Sequence, residues 1–108
     1  MTEEYILPSV DKALLERAIS NFGCNRQIDK AIEEMSELTK ALLKERYSRM
    51  WDERGHIEDI LNVTEELADV VIMLNQLMII FDEHYKVLSR ESVQKVADFK
   101  IERLKGKL

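Results

Sequence analysis

The chain has 108 residues, 45% of them apolar and 34% charged, a composition that fits one globular domain over residues 1–108. Only 3 glycines and 1 proline are present, too few turn residues for a many-stranded β-sandwich or barrel, so long helices are favoured. The net charge of -5 argues against a module that binds nucleic acid and against adhesion to an anionic membrane.

Three features that the sequence lacks indicate the cellular compartment of the protein. The longest apolar stretch, Val70 to Phe81, is too short to span a bilayer. The N-terminal Met-Thr-Glu-Glu lacks the basic and then apolar pattern of a signal peptide. The single cysteine, Cys24, allows no internal disulfide. We therefore expect a cytoplasmic protein with no membrane partner.

The first half of the chain predicts two helices. Ser9 is expected to cap helix one, which ends at Gly23 after apolar residues at helical spacing. Asn25 is expected to cap helix two, which continues to about Arg49. A polar turn over residues 52–55 follows, so helices two and three are expected to form an antiparallel hairpin.

The second half predicts two more helices, which makes the fold all-α and similar to a four-helix bundle. Helix three runs from about His56 to about Glu83, and helix four begins at Ser89 or Ser92. From Val70 to Phe81, apolar residues cover almost the whole circumference of helix three, which requires burial on all sides. Three neighbouring helices can hardly provide that burial. We therefore expect a homo-oligomer in which helices pack across the interface between copies.

Helices two and three carry related acidic motifs. Glu33-Glu34-Met35-Ser36-Glu37 and Glu65-Glu66-Leu67-Ala68-Asp69 both read E-E-x-x-acid. Acids three residues apart share one helix face. Glu66 and Asp69 point into an apolar stripe, and the pair Glu34 and Glu37 borders one. In the antiparallel hairpin the two pairs lie at similar heights.

Four carboxylates that converge in an apolar bundle need a cation, because each buried charge is costly and like charges repel. Oxygen ligands suit Mg²⁺, with Mn²⁺ as a possible substitute, and bound Mg²⁺ commonly shares its coordination with substrate phosphates. The simpler interpretation is that these acids form a solvated face paired with Lys or Arg. Two pairs, one of which faces an apolar stripe, favour the metal site Glu34, Glu37, Glu66 and Asp69.

These motifs resemble the signature of the MazG-like all-α nucleoside triphosphate pyrophosphohydrolases, an E-E-x-x-E motif followed further along by E-x-x-D. Glu33, Glu34 and Glu37 match the first part, and Glu66 and Asp69 match the second. The likeness extends over most of residues 20–105 and is greatest to the short single-domain members of bacteria and their phages. It implies a MazG-type fold and dimers or tetramers.

The resemblance also implies an activity. Such enzymes hydrolyse a (deoxy)nucleoside triphosphate between the α and β phosphates, with Mg²⁺, to a monophosphate and pyrophosphate. Glu33 would then be an auxiliary catalytic acid. The purpose would be nucleotide-pool housekeeping or phage nucleotide metabolism. Two alternatives stay open: a non-catalytic helical dimerisation module, and an enzyme related to the dimeric dUTPases.

Three further residues of helix two are candidates for substrate binding. Gln27 and Lys30 share the acidic face with Glu34, one or two turns nearer the start of the helix. Lys30 is also placed to pair with Glu34 at i+4. Lys44 lies three turns beyond Glu34 and is a candidate for binding phosphate.

Overall fold

The computed structural model describes residues 6–52 and 56–108, and within these ranges every regular element is helical. The α-helices are α1 (Lys12–Phe22), α2 (Cys24–Trp51), α3 (Ile57–Ile79) and α4 (Arg90–Lys107), with a π-helical turn over Ile80–His84 after α3. The all-α prediction and its four helices are therefore confirmed. Residues 53–55 of the predicted polar turn lie outside the described residues.

The start of α1 differs from the prediction, whereas its end agrees with the prediction. Asp11 is the N-cap, because its carboxylate accepts a hydrogen bond from the backbone N–H of Leu14 at 3.3 Å. The prediction that Ser9 caps this helix was wrong, since the acid two residues later makes the capping bond. Gly23 ends α1, and its N–H donates to the carbonyl of Ile19 at 2.8 Å.

Gly23 also begins α2. Its carbonyl accepts from the N–H of Gln27 at 3.2 Å, and its φ of 92° lies in the region that favours glycine. Asn25 lies inside α2, so the prediction that it caps this helix was wrong. A single residue therefore separates the first two helices.

Side-chain contacts show that α2 and α3 run antiparallel. The hydroxyl of Ser48 donates to the carboxylate of Asp59 near the connected ends of the helices. At the other end, Nε2 of Gln27 donates to Oε1 of Gln76 at 2.6 Å. The partner's number on α3 rises as the number on α2 falls, which defines the antiparallel arrangement expected from the sequence.

Contacts between residues divide the chain after Leu77 into two groups. The first group contains α1, α2 and α3 up to Leu77. Its buried apolar residues are Leu15, Ile19, Ala31, Ala41, Val70, Val71 and Met73. Burial around α3 is incomplete, because Ile72 and Leu74 remain exposed.

The second group, Met78–Leu108, contains the π-helical turn and α4. Ser89 caps α4, because its hydroxyl accepts from the N–H of Ser92 at 3.0 Å and the hydroxyl of Ser92 accepts from the N–H of Ser89 at 3.0 Å. No residue of α4 is buried. Among the helices of residues 6–52 and 56–108, none has both the length and the apolar character to cross a membrane.

Candidate metal centre

Three of the predicted acids meet between α2 and α3. Glu34 comes from α2, and Glu66 and Asp69 come from successive turns of α3. One carboxylate oxygen of each lies within 4.8 Å of those of the other two, and all three residues are partly buried. We call these residues the acidic triad.

Glu66 carries a polar atom whose hydrogen-bonding capacity is unused. Its Oε2 is buried and has no hydrogen-bond partner. Burial raises the pKa of Glu66 above its usual value of 4.5, and the charges of Asp69 and Glu34 raise this pKa further. A carboxylate oxygen that is removed from water and unpartnered is favourably placed to bind a cation.

The pKa of Asp69 is raised by the same two causes as that of Glu66, burial and neighbouring negative charge. Burial raises the pKa of Asp69 above its usual value of 3.8, and the adjacent carboxylate of Glu34 raises it further through its charge and a hydrogen bond. The positive charge of Lys30 acts in the opposite direction and lowers this pKa. The acidic triad is therefore a site of concentrated negative charge that protons or a cation would relieve.

The dimensions of the acidic triad fit a small divalent ion. Oxygen ligands about 2.1 Å from Mg²⁺ in octahedral geometry lie roughly 3.0 Å apart when adjacent and roughly 4.2 Å apart when opposite. Oxygens within 4.8 Å of one another need to move by about 1 Å or less to reach these separations. Glu34, Glu66 and Asp69 would hold the ion, and waters or a substrate would complete its coordination.

The other two predicted acids lie outside the acidic triad. Glu37, the fourth predicted metal ligand, is close enough for its charge to raise the pKa of Glu66. Its carboxylate meets Nζ of Lys40 at 3.5 Å. Glu33, the predicted catalytic acid, is more than half exposed and meets Nζ of Lys30 at 3.7 Å.

Lys30 lies directly against the acidic triad. Its Nζ is 3.0 Å from Oε1 of Glu34, and the hydrogen bond to Glu34 and the charges of Glu33 and Glu34 raise its pKa above 10.5. The side chain of Glu34 is only 12% exposed, whereas that of Lys30 is 49% exposed. Lys30 therefore balances part of the negative charge from the solvent side.

The remaining substrate-binding candidates have different environments. Gln27 is buried, and its amide nitrogen is engaged with Gln76. Lys44 is exposed, ten residues or about 15 Å of helix from Glu34. The structure thus brings Lys30 to the acids, whereas Gln27 and Lys44 remain predictions.

Sequence reasoning missed Gln76. Its buried amide accepts from Gln27, and the two residues link α2 to α3 one layer beyond the acidic triad. A signal was available, because Asn75 and Gln76 interrupt the apolar run from Val70 to Phe81. A polar side chain within a buried apolar segment requires a hydrogen-bond partner.

Comparisons with protein-family models, with curated proteins and with solved structures give no match for this chain. The motifs of the sequence and the geometry of the acidic triad are therefore the features that indicate a function.

Proposed function

We propose that this chain is a Mg²⁺-dependent nucleoside triphosphate pyrophosphohydrolase of the MazG-like type. The observation that carries the proposal is the acidic triad with its unpartnered Glu66 Oε2. The E-E-x-x-E and E-x-x-D motifs support the same assignment, because they supply the triad from two helices in the order that the family resemblance implies.

The triad has the donor set that phosphate chemistry with Mg²⁺ requires. When bound, Mg²⁺ would neutralise charge on the triphosphate and lower the pKa of an attacking water, so that the bond between the α and β phosphates is hydrolysed. Glu34, Glu66 and Asp69 would hold the ion, and Glu37 would add negative charge beside it. Glu33 is assigned the auxiliary role of accepting a hydrogen bond from water, since its exposed carboxylate borders the site.

Lys30 and the two other polar candidates complete the proposed site. Lys30 balances charge at the triad and, like Lys44, offers an ammonium group to phosphate oxygens. Gln27 is included as a proposed substrate contact because it lies in the layer next to the acids. We infer the substrate contacts of Gln27 and Lys30 from the position of these residues on the acidic side of α2. The contact of Lys44 is inferred from its position further along the same helix.

We also propose that the protein works as a homodimer or a tetramer. Along α3, Ile60, Val63, Leu67, Val70, Leu74 and Leu77 are spaced alternately by three and four residues, the pattern of a helix that packs lengthwise on another helix. We call them the α3 seam. Ile60, Leu67 and Leu74 are 44%, 48% and 41% exposed, and a second copy of the chain would cover them.

A second apolar surface lies on α2. Ile32, Leu43, Tyr47 and Met50 lie on the side of this helix opposite Glu34, and each is at least 59% exposed. Two separate apolar surfaces allow a dimer to pair again into a tetramer. A measurement of mass in solution distinguishes the dimer from the tetramer.

Product analysis tests the proposed activity. The purified protein is incubated with a panel of NTPs and dNTPs, including dUTP, with Mg²⁺ or with a chelator, and the products are resolved by ion exchange. We expect monophosphate and pyrophosphate in the presence of Mg²⁺ only. Glu66→Gln is expected to lose at least about 100-fold in kcat, because it removes a ligand of the ion.

The matched control is Glu58→Gln, which removes one exposed carboxylate from the first turn of α3 and should retain activity. Release of diphosphate and phosphate would contradict the proposed cleavage between the α and β phosphates. Turnover confined to dUTP would favour the enzyme related to dimeric dUTPases. No turnover of any nucleotide, together with no binding of Mg²⁺, would favour the non-catalytic helical module.

A further inference from the structure

Lys30 already occupies the position of a cation at the acidic triad. Its Nζ lies 3.0 Å from Oε1 of Glu34, the one triad residue on α2. Its charge also reaches Asp69, the pKa of which it lowers. Glu66 has no such compensation at its Oε2, which is buried without a hydrogen-bond partner.

We propose that Lys30 is a built-in competitor of the divalent ion, which leaves Glu34 when the ion binds and moves to Glu33. The inference rests on the proposed metal site and adds to it a residue that sets the affinity for the ion. In the metal-free protein Lys30 neutralises Glu34, and in the metal-bound protein the same charge becomes repulsive.

The geometry provides both positions of this lysine. Nζ lies 3.7 Å from Oε2 of Glu33 while it contacts Glu34, so a small rotation exchanges one carboxylate for the other. Glu33 is 62% exposed and Glu34 is 12% exposed, so the movement carries the ammonium group outward into water. The long, half-exposed lysine side chain has the freedom to make it.

The direction of the effect follows from electrostatics. A unit positive charge a few ångströms from a divalent ion repels it, and in a partly buried site the repulsion changes affinity by about tenfold or more. A structural i+4 ion pair without this role would change the stability of α2 slightly and leave the affinity for metal unchanged. Metal affinity therefore separates the two roles of Lys30.

The test measures Mn²⁺ binding by the electron paramagnetic resonance of the free ion, with Mn²⁺ as the probe for Mg²⁺. It compares the unmodified chain with Lys30→Met, Lys30→Arg and Lys40→Met. Lys40 is the matched control, because it pairs with Glu37 at 3.5 Å and lies ten residues further along α2. Circular dichroism verifies that each variant keeps its helical content.

We expect Lys30→Met to bind Mn²⁺ about tenfold more tightly. Lys40→Met should change the affinity less than twofold, and Lys30→Arg should stay near the unmodified value because it keeps the charge. Equal affinity in Lys30→Met and the unmodified chain would overturn the inference and leave the metal site intact. Equal tightening in Lys30→Met and Lys40→Met would also overturn it, because net charge alone would explain the result. No Mn²⁺ binding in any of the proteins would remove the metal site and the inference together.

Discussion

Gln27 and Gln76 hydrogen-bond each other seven residues along α2 and α3 from Glu34 and Asp69. At 1.5 Å of rise per residue, seven residues correspond to about 10.5 Å along each helix. The amide pair and the carboxylates are therefore successive layers of the same antiparallel helix pair. The hydrogen bond between the two amides joins α2 to α3 at this layer, which helps to hold the acids at matching heights.

The first prediction concerns this amide layer. Gln76→Met leaves the buried amide of Gln27 without its partner, so we expect the free energy of unfolding to fall by about 1–3 kcal/mol. The double variant with Gln27→Met removes both buried amides and should cost less than the sum of the two single variants. Denaturant titration of all four proteins gives this coupling. Additive losses would show that the hydrogen bond contributes no coupling.

The second prediction concerns the charge of Glu66 in the absence of metal. Glu66→Gln removes one of several crowded negative charges, so the metal-free variant should melt at a higher temperature than the unmodified protein. Saturating Mg²⁺ should raise the melting temperature of the unmodified protein but not that of Glu66→Gln. Thermal scans with a chelator and with Mg²⁺ measure both effects. A similar Mg²⁺-dependent rise in the variant would contradict Glu66 as a ligand.

The third prediction is the dependence of stability on pH. The pKa values of Glu66 and Asp69 are raised in the folded chain above 4.5 and 3.8. Between the ordinary and the raised values, the folded chain binds more protons than the unfolded chain, so these groups make the free energy of unfolding fall as pH rises. Their stabilising contribution is fully present below the ordinary values and is lost as pH rises through the raised ones.

The measurement compares melting temperatures of the metal-free unmodified protein and Glu66→Gln between pH 4.5 and 7.5 (roughly the window of interest). The advantage of Glu66→Gln over the unmodified protein should grow with pH. Saturating Mg²⁺ should reverse the trend in the unmodified protein, because the ion binds deprotonated carboxylates. Parallel curves for the two metal-free proteins would contradict the raised pKa of Glu66.

Sequence patterns predicted the helices, and the shared face of Glu66 and Asp69, because both depend on local periodicity. Apolar spacing located four helices, and the i,i+3 spacing placed Glu66 and Asp69 on one face. The N-cap of α1 was misplaced because Ser9 and Asp11 are both good capping residues, and only the backbone shows which one accepts the bond.

Contacts between helices were less accessible to sequence reasoning. The pairing of Gln27 with Gln76 depends on the register of α2 against α3, which periodicity leaves free. For the same reason the sequence grouped Glu37 with three other acids, whereas the closest set is Glu34, Glu66 and Asp69. The separation of two helices and the rotamers of long side chains decide such differences of a few ångströms.

The fourth prediction tests the α3 seam. Leu67→Glu places a charge in the middle of the seam, so we expect the oligomer to dissociate at micromolar concentration. Leu61→Glu is the control, because Leu61 is 58% exposed on the same helix but lies outside the seam. Light scattering with sedimentation gives the masses. An unmodified protein that is already a monomer would contradict the proposed assembly, and an intact oligomer in Leu67→Glu would move the interface elsewhere.

The single-residue junction at Gly23 limits which substitutions the sequence can accept at this position. Gly23 is exposed, and apart from its two chain neighbours nothing lies within 4 Å of the position that a Cβ would take, so a survey of surface positions would class the site as permissive. Its φ of 92° makes it restrictive instead, because every other L-residue meets a penalty from its own backbone. Selection at this position would therefore act on backbone conformation rather than on size, and a library of substitutions should return glycine although a Cβ would meet no neighbouring side chain.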